Sequence, residues 1–255
     1  MDWLKRAYGF EFTDVVPPIG IGGPEGGGNH ASCEEHAEWL HAVFAEFLCL
    51  GMVREVAYRP KCLSPLAVIP KGDYDPVERP HRLRILTDMR AGNEYLQPPR
   101  FSLETLHKSR GLMQEGDVML TWDYSAFFHH WAMDKASQEY VGCTLGPSGP
   151  LGGRYFVWVA ATMGVATSPW VTQSMAWRLA SKWRALGIRC LCYSDDLCVW
   201  CRPHEASGIA DFLEREMDIH GLLRNDKKSC REPQYVAKVL GVGVDMLRMR
   251  FFVTD

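Results

Sequence analysis

Two adjacent aspartates, Asp195 and Asp196, interrupt the run CLCYSDDLCVWC from Cys190 to Cys201. On either side, Leu191, Tyr193, Leu197, Val199 and Trp200 have the apolar, aromatic and β-branched character of a sheet interior, which places the acidic pair in the turn of a tight hairpin. Like charges a few ångströms apart raise one another's pKa, so two carboxylates fixed side by side call for a nearby cation. Taken alone, the pair reads as a polar turn. Upstream, GDVMLTWD (116 to 123) reads as a strand that ends on a third carboxylate, Asp123. If the three meet, their hard oxygen donors select Mg²⁺ or Mn²⁺. Two such ions roughly 3.5 to 4 Å apart activate a hydroxyl and stabilise a leaving phosphate oxygen, so the chemistry is phosphoryl transfer.

The surrounding elements decide whether they meet. After the strand ending at Asp123, YFVWVA (155 to 160) reads as another strand. Ser168 then caps a helix with Pro169 as its first residue, which runs through Met175, Trp177 and Leu179 to a stop at Gly187. Beyond the acidic hairpin, a second helix starts at Pro203, carries Ile209, Phe212, Leu213 and Met217 on one face, and ends at Gly221. YVAKVLGVGV (235 to 244) and LRMRFFV (247 to 253) close the chain as strands. Reduced to main elements, residues 116 to 244 read β, α, β-hairpin, α, β with an insertion after the first strand, which is the ferredoxin-like order. In that topology the third strand lies antiparallel between the first and second. The end of strand one therefore sits beside the turn joining strands two and three, and Asp123 converges with Asp195 and Asp196.

Upstream, residues 14 to 30 are too rich in Gly and Pro for a packed element and read as an arm. Their glycines do not follow a strand and open a helix, so they do not form a dinucleotide site. Ser32 and Glu35 make a capping box, followed by one apolar helix face of Trp39, Leu40, Val43, Phe44, Phe47 and Leu48 that ends at Gly51.

At 255 residues and 47% hydrophobic, the chain can bury one large core or two small ones. No run approaches the ~18 apolar residues of a membrane span, and MDWLKRAYGFEF lacks a signal-peptide core, so the expected setting is cytoplasmic or nuclear with no membrane partner. The net charge of −3 conceals an asymmetry: residues 54 to 110 hold 11 Lys/Arg against 7 Asp/Glu, a local +4. A basic segment of this kind suits an anion serving the carboxylate site, although a solvated surface gives the same excess. Nine cysteines without a secretory signal read as reduced thiols. Cys198, Cys201 and His204, with Cys190 and Cys192 across the hairpin, have zinc-like spacing. Alternate strand residues point to opposite faces, however, so Cys198 and Cys201 project apart, and buried free thiols are the expected state.

These residues together resemble the fingers and palm of a reverse transcriptase. WDYSAFF (122 to 128) resembles the first catalytic motif, MGVATSPWVTQ (163 to 173) the second, YSDD the third and HGLLRNDKK (220 to 228) the fourth, while VLGVGVD (239 to 245) resembles the primer-grip strand. SPLAVIPKGD and RLRILTDMRAGN resemble the nucleotide-holding fingers segments. The entry stretch from Asn29 to Val56 and the closing LGVGVDMLRMRFFV resemble the DIRS-type retrotransposon branch, near the long-terminal-repeat elements.

The resemblance implies an α+β fold: a right-hand palm, ferredoxin-like and RRM-like, with an antiparallel sheet and helices on one face, plus a fingers subdomain and no thumb. The implied organisation is a flexible arm (1–30), fingers with an N-terminal helix (31–115) and a palm (116–255) carrying a finger insertion at about 134–165. No thumb, connection or RNase H region follows Asp255, which implies a partial polymerase completed by such a region or by another protein of the element.

The resemblance also implies roles. Asp123 and Asp195 would ligate two Mg²⁺ or Mn²⁺ ions, with Asp196 in support and the backbone carbonyl of Tyr124 completing one ion. Lys71 and Arg84 would bind triphosphate oxygens, Lys as a point contact and Arg as a fork. Met163, Gly164 and Gln173 would line the dNTP pocket. Phe128 would be the sugar gate, a bulky ring excluding a ribose 2′-hydroxyl, and neighbouring Phe127 makes core packing the plainer alternative. Lys228 would protonate departing pyrophosphate. Arg90, Asn93, Tyr193 and Gly241 would face an RNA or DNA template with its primer; Arg90 could equally pair with Asp88. The implied reaction is RNA-directed DNA synthesis from dNTPs. Two other functions fit the motifs: a catalytically silent nucleic-acid-binding or assembly module, which has no need of three carboxylates, and an RNA-dependent RNA polymerase, against which Phe128 speaks.

Overall fold

The computed structural model describes residues 7–15, 28–72, 75–78, 80 and 82–254. Two short helices come first, α1 (Ala31–Glu35) and α2 (Ala37–Cys49), followed by strands β1 (Val53–Val56), β2 (Leu66–Pro70) and β3 (Leu83–Thr87). Helices α3 (Arg90–Asn93) and α4 (Leu106–Ser109) lead to β4 (Val118–Asp123). Next are α5 (Lys135–Gln138), β5 (Gly142–Cys143), β6 (Tyr155–Trp158) and the long helix α6 (Ser168–Ala185). β7 (Arg189–Tyr193), β8 (Asp196–Cys201), α7 (Ala206–Ile219), β9 (Cys230–Gln234), β10 (Val236–Val239), β11 (Val242–Asp245) and β12 (Arg250–Val253) complete the chain.

The chain divides into two compact units, Met1–Pro99 with Trp131–Trp170, and Arg100–His130 with Val171–Asp255. In the first unit β1, β6 and β5 form an antiparallel sheet and β2 pairs with β3 in a separate hairpin. Phe44 of α2 is fully buried, 5.5 Å from the ring of Phe156 and 5.9 Å from that of Trp158 on β6. The expected capping box does not form. The helix breaks at His36, its first segment is capped by His30 without a side-chain bond, and Ser32 Oγ accepts instead from Val68 N–H at 3.1 Å. Ser32 thus ties α1 to β2, a tertiary demand that the local spacing does not reveal. Part of the arm is anchored: Tyr8 N–H donates to Ala132 O, Thr13 N–H to Tyr95 O, and the Tyr8 side chain is buried. Residues 16–27 of the arm lie outside the described residues.

In the second unit the four-stranded sheet has the order β7-β8-β4-β9, antiparallel throughout. This is the ferredoxin-like arrangement, with β8 between β4 and β7. The fourth strand differs from the sequence reading, being Cys230–Gln234 instead of the segment from Tyr235. Val236–Val239 and Val242–Asp245 form a hairpin through Leu240 (φ 49°) and Gly241 (φ 80°), and with β12 they make a separate three-stranded sheet. Two successive positive φ angles are the signature of a type I′ turn, which suits a two-residue hairpin. Helix α7 starts three residues after Pro203 and buries Ala210, Leu213 and Met217.

Strand alternation sorts this sheet into two faces. Met119, Leu191, Cys198 and Trp200 pack with Val239, Val244 and Met246 of the hairpin in one buried cluster. Asp123 and Asp196 continue the face of Met119 and Trp200 by period two, at the end of the sheet where that cluster stops. The apolar ladder of this face thus terminates in two carboxylates.

Candidate active site

Asp123 closes β4 directly opposite Asp196, which opens β8. The Tyr124 N–H donates to the Asp195 carbonyl at 2.8 Å, so the turn and the end of β4 are tied one residue beyond the ladder. Of the two central turn residues only Ser194 has a positive φ, 50°, the pattern of a type II′ turn. Serine in that region is strained and persists only where its surroundings hold it. Gln173, fully buried on α6, does so by accepting from Ser194 N–H at 2.8 Å and donating to Cys192 O at 3.1 Å.

A loop cups Asp123 from the other side. Asn225 N–H donates to the Asp123 carbonyl at 2.8 Å, Ser229 Oγ accepts from Asp123 N–H at 3.1 Å, and Lys228 Nζ stands 3.0 Å from Asp123 Oδ2. The loop is held in turn by Ser125 N–H donating to Leu223 O and by Leu223 N–H donating to His130 Nε2 at 3.0 Å. Burial lowers the pKa of His130, which keeps the imidazole neutral and able to accept.

Charge crowding is visible in the carboxylates. Burial first, then the charges of Asp195 and Asp123, push Asp196 up to about 6, with Lys228 pulling the other way. Asp195 is also raised, by burial and then by Asp123. Two acids that resist ionisation beside a third, with one ammonium drawn to them, make a site whose electrostatics favour an added cation. Among the described residues no group of three His, Cys, Asp or Glu side chains is arranged to hold a metal ion. Mg²⁺ takes one or two carboxylates and completes its shell with water and substrate phosphates. The donor chemistry of Asp123, Asp195 and Asp196 fits Mg²⁺ or Mn²⁺ used in that way.

A family model described as reverse transcriptase (RNA-dependent DNA polymerase) matches residues 69–244. The chain belongs to the reverse transcriptase family. A solved structure of the foamy viral protease-reverse transcriptase in complex with RNA/DNA hybrid aligns with a TM-score of 0.69 and 17% identity, over 94% of this chain and 30% of that one. The foamy viral protease-reverse transcriptase in complex with double-stranded DNA aligns with a TM-score of 0.68 and 18% identity, over 96% of this chain and 40% of that one. These likenesses show the fold, that of the fingers and palm of reverse transcriptases, and the chain spans less than half the length of either protein. No curated protein matches the sequence.

The other residues carried over from the reverse transcriptase motifs fall in both units. In the second, Phe127 is buried and stacks on Tyr124 with ring centroids 4.9 Å apart, leaving Phe128 half-buried beside it. Tyr193 pairs with Asp196 at the hairpin end, and a Cβ on Gly241 would meet nothing within 4 Å. In the first unit, Lys71 follows β2 and its N–H donates to Arg82 O, while Arg84 projects from β3 opposite Ile69. Arg90 is committed to Asp88 through Nε at 2.8 Å and Nη2 at 2.6 Å. Asn93 bridges the second-motif turn, donating to Gly164 O at 2.8 Å and accepting from Ala166 N–H at 2.9 Å. Met163 O accepts from Thr87 N–H, and a Cβ on Gly164 (φ 102°) would lie 1.8 Å from Thr87 O. Gly164 therefore admits its own neighbour strand.

Sequence reasoning missed Asn225, Ser229 and His130, which act through single hydrogen bonds across long separations. The available signal was the polar stretch RNDKK that ends the fourth motif, next to Ser229; nothing in the sequence marked His130. All nine cysteines are free, and Cys198 belongs to the Met119 cluster.

Proposed function

We propose that this chain is the polymerase portion of a retroelement reverse transcriptase that adds dNTPs to a primer 3′ end on an RNA or DNA template. The observation that carries the proposal is the in-register opposition of Asp123 and Asp196 across β4 and β8, with Asp195 in the turn and Lys228 on Asp123. When bound, two Mg²⁺ or Mn²⁺ ions would supply charge neutralisation at the attacking and departing oxygens. Asp123 and Asp195 would hold them, with Asp196 and the Tyr124 carbonyl beside. Lys228, exposed and 3.0 Å from Asp123, would give up a proton to a leaving phosphate. Lys71 and Arg84 are proposed for the triphosphate, and half-buried Phe128 for the sugar. The solved relatives hold RNA/DNA hybrid or double-stranded DNA, which supports a nucleic-acid partner here. The stretches at either end that resemble the DIRS-type branch support a retrotransposon origin. Primer extension on RNA and DNA templates with Mg²⁺ tests the proposal. Incorporation lost in Asp123→Asn is the expected result; a protein that binds primer–template and extends nothing would favour the silent module.

A further inference from the structure

β7, which leads into the acidic turn, is the edge strand of the four-stranded sheet, paired to β8 on one side. Its other side still carries peptide groups, and buried peptide N–H and C=O groups need partners. Cys190 and Cys192 are buried. Their partners are side chains. Arg184, in the last turn of α6, donates to Cys190 O from Nε at 3.0 Å and from Nη2 at 2.6 Å. Glu104 Oε2 accepts from Arg184 Nη2 at 2.7 Å and from Cys192 N–H at 2.9 Å. Gln173 then takes Cys192 O and Ser194 N–H. From Cys190 to Ser194, three side chains make the hydrogen bonds that another strand would make, and the next residue is Asp195.

The Glu104–Arg184 pair is unlike an ordinary ion pair in two respects. Its side chains are only 15% and 33% exposed, more enclosed than those of a surface pair. It also does not end on itself, since both partners continue onto the backbone of one strand. We propose that Glu104 and Arg184 are positioning residues for the catalytic turn, a substitute strand that fixes the lateral position of β7 and thereby of the Asp195 carboxylate. The inference rests on the polymerase reading above. Chemistry at that carboxylate tolerates little misplacement, about 1 Å costing on the order of a hundredfold in rate. The strained Ser194 gives the turn a reason to relax once its lateral bonds are cut.

The test uses the full chain in steady-state primer extension, with amide hydrogen exchange at Cys192 and Ser194 and thermal unfolding on the same samples. Glu104→Ala and Arg184→Ala should lower kcat by roughly 30- to 100-fold with KM for dNTP within about threefold, because the lost interaction acts on the transition state. Exchange at Cys192 should quicken about tenfold or more, while the unfolding transition is kept. Glu104→Gln, whose amide oxygen still accepts from Cys192 N–H, should keep kcat within about threefold of wild type. Lys182→Ala breaks a neighbouring pair on the same helix, Lys182 with Glu216, and should leave kcat and Cys192 exchange unchanged. Unchanged kcat in folded Glu104→Ala, equal damage from Glu104→Gln, or equal damage from Lys182→Ala would each overturn the proposal. A wild-type chain that extends no primer would overturn the polymerase reading; exchange then decides for the clamp, and unchanged protection at Cys192 and Ser194 in the alanine variants overturns it.

Discussion

Phe127 packs in the core, and half-buried Phe128 is the residue proposed as the sugar gate. Phe127 is 4% exposed and stacked on Tyr124, so Phe127→Ala should cost about 3 to 5 kcal/mol in denaturant unfolding. Phe128, the next residue, is half-buried. Its truncation to Ala should leave the unfolding midpoint nearly in place and raise rNTP over dNTP use, on the order of a hundredfold for a clash worth about 3 kcal/mol. Parallel kcat/KM measurements with both nucleotides check this, and an unchanged ratio would remove the gate. A second residue-scale expectation concerns Asp196, whose pKa rises from 3.8 to about 6 on folding. As pH climbs through that window the unfolded chain releases its proton first. The metal-free protein should therefore lose stability between about pH 4 and 6 and level off above. Melting curves should show this slope shrink in Asp196→Asn, and an unchanged slope would show that Asp196 is not crowded. Strand character on both sides brings the acidic pair to the hairpin end, but only Asp195 is a turn residue; Asp196, expected in the turn, opens β8 and pairs with Asp123. Ser229 and Glu104 were not legible, since each acts on a backbone group 88 or more positions away and carries no local pattern.

At the scale of elements, the acidic hairpin and the end of β4 behave as one device: the ladder ends on Asp123 and Asp196, and the Tyr124–Asp195 bond carries it one residue further. The strand and helix order was readable from periodicity, and with it the topology that joins these ends. The fourth strand was misplaced because VAKVLGVGV has stronger β character than CREPQ. Yet the sheet edge beside β4 is taken by CREPQ, whose Ser229 neighbour already holds Asp123. The second-motif turn shows the same dependence on tertiary context. Gly164 has a φ of 102°, and a Cβ there would lie 1.8 Å from Thr87 O. Gly164→Ala should destabilise the protein by about 2 kcal/mol or more through combined strain and overpacking. Chemical denaturation measures it, and a loss below about 0.5 kcal/mol, the range of a neutral surface change, would show that the turn can open without penalty.

Over the whole molecule the formal charge of −3 is divided, with a local +4 in residues 54 to 110 and acid concentrated elsewhere. Primer–template affinity should consequently come from phosphate contacts on that segment and fall steeply with salt. Neutralising several phosphates implies a log–log slope of about −0.9 per contact on duplex DNA. Fluorescence anisotropy across a salt series checks it, and tight binding that hardly varies with salt would place the contacts elsewhere. The proposed activity is template-directed nucleotide addition at the carboxylates on the second unit's sheet. Single-nucleotide incorporation into a primer on an RNA template, with Mg²⁺, comparing wild type with Asp195→Asn, tests it most directly. The expected result is templated dNTP addition by the wild type and at least a thousandfold loss, about 4 kcal/mol of transition-state stabilisation, in a variant that melts normally. Equal incorporation by the two proteins would contradict it.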